Sequence, residues 1–238
     1  EQGGQAWRDD TVRIEGPAVG QMREIFMHGW THWLYPSPGL VPEHSLRPPP
    51  PESQEASGRM RVLANHYFVE RRYIRRAYLQ QIGAAKRSIC ITNSYFVPDG
   101  RIRRSLASAV ARGVEVRVIV QGRTDVPVAK YAGRKVFGRL LQDGIELYEW
   151  QGPILHAKTA VIDSHWCTVG TYNLDYRSWR FNLEVTAAIE DAAVARALEQ
   201  QFEADLSRCK PIDYESWRDR AIQDRLLDNF FFRFRKLL

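Results

Sequence analysis

The chain has 238 residues, 44% of them hydrophobic, and a formal net charge of +6 carried mostly by arginine. That much apolar side chain supports a packed core and excludes a disordered polypeptide, and no apolar run is long enough to span a bilayer as a helix or reads as a signal peptide. The basic balance suits a phosphate-bearing partner (lipid headgroup, anionic membrane or nucleic acid) without choosing among them.

In chain order, residues 11–15 alternate and predict a short strand. Gly16-Pro17 then opens a helix, where the N–H that proline lacks costs nothing. Val19, Met22, Ile25, Phe26 and Trp30 carry helical spacing to about residue 33. His28 and His32 lie four apart on it, but without an acidic or cysteine partner they read as packing or surface residues rather than metal ligands. Residues 36–58 hold Pro36, Pro38, Pro42 and the run Pro48 to Pro51, the composition of an extended linker.

Beyond the linker, 60–64 predicts a strand and 70–84 a helix. Arg71, Arg72, Arg75 and Arg76 crowd one side of that helix, a solvated face or a phosphate-facing patch. Strands 88–92, 114–120 and 145–149 alternate with helices 100–112 and 128–142. This predicts an α/β fold, a mixed β-sheet flanked by helices on both faces. The loops 93–98 and 121–127 follow successive strands and are rim candidates or plain structural turns. Three cysteines, Cys90, Cys167 and Cys209, have neither metal spacing nor a disulfide pattern, which fits a reducing compartment.

The most informative stretch is 155–184. Strands 157–162 and 166–169, joined by the polar turn Asp163-Ser164-His165, predict a hairpin. Alternate strand residues share a face, so His156 and Lys158 point together, and the hairpin returns Gly170, Thr171 and Asn173 beside them. An imidazole attacks phosphorus, and an ammonium and an amide hold the non-bridging oxygens of a phosphodiester. Such a histidine needs its far ring nitrogen held by a carboxylate. The candidate is Glu184, on a predicted strand over 181–189. Lys158 favours the neutral imidazole and Glu184 the cation. Asp163 is expected to support the site structurally or electrostatically. Asp191 predicts the N-cap of a helix over 191–207, and 212–228 reads as mostly helical. Residues 230–238 mix phenylalanines with cations, which suits a membrane interface or packing on the domain or a partner.

The pattern His156-x-Lys158, four residues, Asp163, six residues, Gly170-Thr171-x-Asn173 resembles the HKD signature of the phospholipase D superfamily, with Thr171 where serine is commoner. The trailing Asn182-x-Glu184 is similar too. The resemblance implies a phospholipase D-like repeat with His156, Lys158, Asp163, Asn173 and Glu184 as catalytic residues. Gly170 and Thr171 would bind substrate, and no metal or cofactor is implied. It also implies two steps through a phosphohistidine. One histidine attacks and a second, from another HKD motif, acts as general acid and base. Only His156 among six histidines sits in a motif here. The other motif is expected from a missing N-terminal repeat or from a homodimer partner.

Arg13-Ile14-Glu15-Gly16-Pro17-Ala18-Val19 resembles the stretch that closes the first repeat of two-repeat cardiolipin synthases, and the patterns in 95–98 and 121–127 resemble their second repeat. The implied organisation is a first-repeat remnant over 1–35, the linker 36–58, a second catalytic repeat over 59–209 and a helical, basic-aromatic tail over 210–238. In such enzymes the first motif's histidine is the nucleophile, so His156 would be the acid/base. The implied activity moves a phosphatidyl group between phosphatidylglycerol molecules, giving cardiolipin and glycerol. It would act on an anionic phospholipid as a peripheral protein at the cytoplasmic face of a bacterial inner membrane. The alternative is a nuclease of the same superfamily, a one-motif homodimer using its basic surface on nucleic acid. A membrane-binding or regulatory half without activity is a third reading, and the intact His156, Lys158, Asn173 and Glu184 argue against it.

Overall fold

A computed structural model describes residues 7–34, 59–65, 73–124 and 126–234, with residues 28 and 31–34 described by backbone alone. The linker 36–58, Arg71, Arg72, the side chains of His28 and His32, and residues 235–238 lie outside that set. The elements in chain order are β1 (Trp7–Arg8), α1 (Ala18–Leu34), β2 (Arg59–Asn65), α2 (Tyr73–Ala84), β3 (Ser88–Asn93), α3 (Gly100–Ala111), β4 (Glu115–Gln121), α4 (Pro127–Gln142) and β5 (Glu146–Trp150). They continue with β6 (Ile154–Leu155), β7 (Lys158–Ile162), β8 (Trp166–Gly170), α5 (Tyr176–Arg180), β9 (Glu184–Glu190), α6 (Ala192–Leu206), β10 (Cys209–Pro211), α7 (Tyr214–Arg218) and α8 (Ile222–Phe232).

Eight strands form one sheet in the order β10-β5-β4-β3-β7-β8-β9-β2, and β1 pairs with β6 in a separate ribbon. β3, β4 and β5 are parallel because α3 and α4 carry the chain back between them. From β7 onward neighbours are antiparallel, β7 and β8 through a tight turn and β8 and β9 through a connection that holds α5. Every residue of β7 is buried, as expected for a strand covered on both faces. On one face Ile74, Ile82, Leu106 and Phe137 pack over Ile89, Ile91 and Val118. On the other, Ala195 and Phe202 of α6 pack over Cys90, Ile119 and Val161. The alternation of residues 89, 90 and 91 between the two clusters is the pleat expressed as two cores. The mixed sheet with helices on both faces is thus as the sequence predicts.

Four local expectations need correction. Residues 11–15 form no strand. Val12 and Ile14 pack against the second core, but the pairing falls to Trp7–Arg8, against Ile154–Leu155. The strand expected from 181 begins at Glu184, because Asp175 accepts the Ser178 N–H at 2.7 Å and starts a short helix first. The helix expected over 212–228 is two, α7 capped by Asp213 and α8. Arg75 is not on a solvated face. It is buried against Asp99 at 2.6 Å and lies over the Trp179 ring.

Candidate active site

In β7 Lys158 is paired with Asn93, the last residue of β3. The histidine segment therefore enters the sheet at the carboxyl ends of β3 and β4, where sites gather in such folds. The His156 backbone N–H donates to the Arg8 carbonyl at 2.8 Å, and its ring Nδ1 lies 2.8 Å from Asp9 Oδ2. The Trp7 ring packs against the imidazole at 4.6 Å between centroids. Arg8 anchors this segment. It donates twice to Asp205 of α6, at 3.1 and 2.5 Å, and once to Asp10 at 2.7 Å. With Nδ1 engaged by a carboxylate, Nε2 is the nitrogen left for chemistry.

The carboxylate at the His156 ring is thus Asp9 and not Glu184. Glu184 is buried and accepts the Thr171 hydroxyl and, at 3.0 Å, the Asn182 amide. The Thr171 oxygen also receives the Val185 N–H at 3.0 Å, so this hydroxyl is engaged by its own β8–β9 neighbourhood. Gly170 is demanded by packing. A Cβ there would stand 2.4 Å from the Val185 carbonyl oxygen and 2.6 Å from Thr186 Cα.

Lys158 stays with the histidine, and the segment carrying Asn173 is tied to Asn93, the partner of Lys158, which donates to the Tyr172 carbonyl at 3.5 Å and accepts the Leu174 N–H at 3.1 Å. Lys158 is buried and donates to the His156 carbonyl, and Asn173 is buried with its amide oxygen unpartnered. Asp163 does not join them. It sits at the far end of β7, five residues and roughly 16 Å along the strand from Lys158. There it accepts the backbone N–H groups of Lys86, Arg87 and Ser88. Burial would raise its pKa, but those three donors hold it below the usual value. Asp163 and Ser164 both have positive φ, 54° and 53°, the left-handed pair that turns β7 into β8.

A second buried carboxylate, Asp175, lies near Glu184. Asp175 is pushed up to about 6, by burial first, with Glu184 nearby adding to the effect and the Ser178 N–H opposing it. No group of His, Cys, Asp and Glu among the described residues has the arrangement of a metal site.

Asp9 and Trp7 were not predicted from sequence, although a signal exists. Ile-Glu-x-x-Ala-Val occurs at 14–19 and again at 189–194, and the spacing of 175 residues between them also carries Asp9 onto Glu184. The carboxylate at His156 therefore occupies the position that corresponds to Glu184 in this recurring sequence pattern.

Comparison with known proteins agrees with this geometry. The family described as "Cardiolipin synthase, PLD-like domain" matches residues 78–206, more than half of the chain. The probable cardiolipin synthase YwiE of Bacillus subtilis is 34% identical over 224 residues, covering 94% of this chain and 44% of that protein. Cardiolipin synthase A of Erwinia tasmaniensis is 30% identical, covering 98% of this chain and 47% of that protein. The chain thus spans about half the length of the curated relatives it matches. Among solved structures, the phospholipase D family member Nuc of Salmonella typhimurium shares the fold, with a TM-score of 0.55 at 20% identity over 65% of this chain and 98% of that one. With His156 and Lys158 of the motif adjacent at the rim formed by the carboxyl ends of β3 and β4, and the family match running across them, the chain belongs to the PLD-like domain family of cardiolipin synthases.

Proposed function

We propose that the chain is the second half of a phosphatidyl transferase that joins two phosphatidylglycerol molecules into cardiolipin and releases glycerol. The observation that carries this reading is His156 with Nδ1 on Asp9 and the buried Lys158 beside it. In the first step a histidine from a second motif attacks phosphorus. An N–P bond forms, the P–O bond to glycerol breaks, and His156 Nε2–H gives its proton to the departing alkoxide. In the second step His156 takes the proton from a primary hydroxyl of another phosphatidylglycerol. That oxygen attacks phosphorus and the N–P bond breaks. Asp9 stabilises the imidazolium that precedes the first step and is restored by the second, while the Lys158 ammonium and the Asn173 amide hold the non-bridging oxygens.

The correspondence between Asp9 and Glu184 supports a matching role for Glu184, the brace of the other histidine. That histidine comes from a first repeat or from a second copy of the chain. The enzyme works as a peripheral protein at the cytoplasmic face of a bacterial inner membrane.

The test offers phosphatidylglycerol vesicles and, in parallel, single-stranded and plasmid DNA, each with chelator. The expected result is cardiolipin and glycerol in equal amounts, falling by about 10³-fold or more in His156→Ala. DNA hydrolysis without lipid turnover would reverse the assignment in favour of the nuclease, and unchanged turnover in the variant would sink the site.

A further inference from the structure

We infer that the outward face of α8 is a docking surface for a lipid bilayer bearing anionic headgroups. Ile222, Leu226 and Phe230 recur every four residues along the helix, and Phe234, just past its end, continues the spacing. They are 72%, 63%, 56% and 40% exposed. The opposite side of the helix is occupied. Phe231 stacks on Tyr131 of α4 at 5.3 Å, and Asp228 is fully buried between Arg134 and Arg220. The stripe is therefore what remains after α8 has packed on its own domain.

Charge distribution identifies the occupant. Both acids of the helix are drawn onto cations of the domain, Asp224 and Asp228 to Arg134, and Asp228 also to Arg220. Its cations, Arg225 and the C-capping Arg233, are exposed and make no ion pair among the described residues. A helix face with apolar and aromatic side chains bordered by outward arginines and cleared of acids is complementary to an anionic lipid interface. No helix among the described residues is long and apolar enough to cross a membrane, so α8 lies on the surface.

Orientation adds a second observation. Asp224 and Asp228 meet Arg134 of α4, while Phe231, further along α8, meets Tyr131, nearer the start of α4, so α8 runs antiparallel to α4. The start of α4 follows the carboxyl end of β4, the edge of the sheet that holds Asn93 and Lys158. The phenylalanine end of α8 therefore points to the catalytic end of the molecule.

This docking stands apart from the transfer reaction, since partition requires no catalysis. The test is flotation of the chain with vesicles of phosphatidylcholine alone and of phosphatidylcholine with phosphatidylglycerol, at low and high salt. The expected result is binding to the anionic vesicles that weakens with salt. Leu226→Ser with Phe230→Ser should lower it roughly tenfold or more, while Arg225→Gln with Arg233→Gln should abolish the preference for phosphatidylglycerol. Where Phe230→Ser lowers the melting temperature, Ile222→Ser with Leu226→Ser replaces it. His156→Ala must bind like the wild type, which separates docking from chemistry. Vesicle binding unchanged in both stripe variants would overturn the proposal. So would the dispersal of a dimer in sedimentation without loss of vesicle binding, which would assign the stripe to a second copy of the chain.

Discussion

His156 is held on two sides, by Asp9 at Nδ1 and by the Arg8 carbonyl at its backbone N–H. An orienting carboxylate sets the tautomer and stabilises the imidazolium, so its loss costs far more rate than binding. Asp9→Asn should lower kcat by about 10²–10⁴-fold with little change in KM, measured on phosphatidylglycerol vesicles. Glu184→Gln has its own Thr171 and Asn182 contacts to lose and would not mimic it at His156. Asp175 offers a stability measurement. An ordinary aspartate is protonated only below about 4, and here the proton is retained to about 6. Between those pH values the folded chain binds more protons than the unfolded one, so stability is greatest below the window and falls as pH rises through it. The loss is up to about 3 kcal/mol. Asp175→Asn cannot ionise and still accepts the Ser178 N–H. It should melt above the wild type at pH 7–8 and converge with it at pH 4, read by thermal melts across that range.

At the scale of elements, the β7–β8–β9 meander places the motif positions at its two opposite ends. The turn end carries Asp163, which ties the β7–β8 turn to the start of β3 through three backbone N–H groups. The open end carries Gly170, where β9 passes so close that no side chain fits. Gly170→Ala should destabilise the domain by about 1–3 kcal/mol, the usual cost of overpacking, seen as a lower urea midpoint with an unchanged slope. Motif spacing alone could not divide these roles, because a strand places one end of itself roughly 16 Å from the other without altering the pattern of letters. The short helix α5 was missed for a related reason. Its five residues carry too little periodicity to register, and its cap, Asp175, reads as one more polar residue of a loop.

Across the whole molecule, one sheet carries both cores, so neither face unfolds independently. Phe202→Ala in the α6 layer should cost about 3–5 kcal/mol. Tryptophan fluorescence and far-ultraviolet circular dichroism should shift together, as one cooperative transition. The strand–helix alternation, the hairpin, the Asp191 cap and the adjacency of His156 and Lys158 were legible from sequence, because each rests on neighbours within a few residues or on side-chain alternation. The partner of His156 was not legible in that way. Asp9 lies 147 residues upstream and reaches the imidazole only because Trp7–Arg8 pairs with Ile154–Leu155 and Arg8 is gripped by Asp205. Local periodicity determined the elements and the motif. Which carboxylate meets which ring was decided by tertiary structure, since a long-range contact is specified by how surfaces pack and not by the order of residues along the chain.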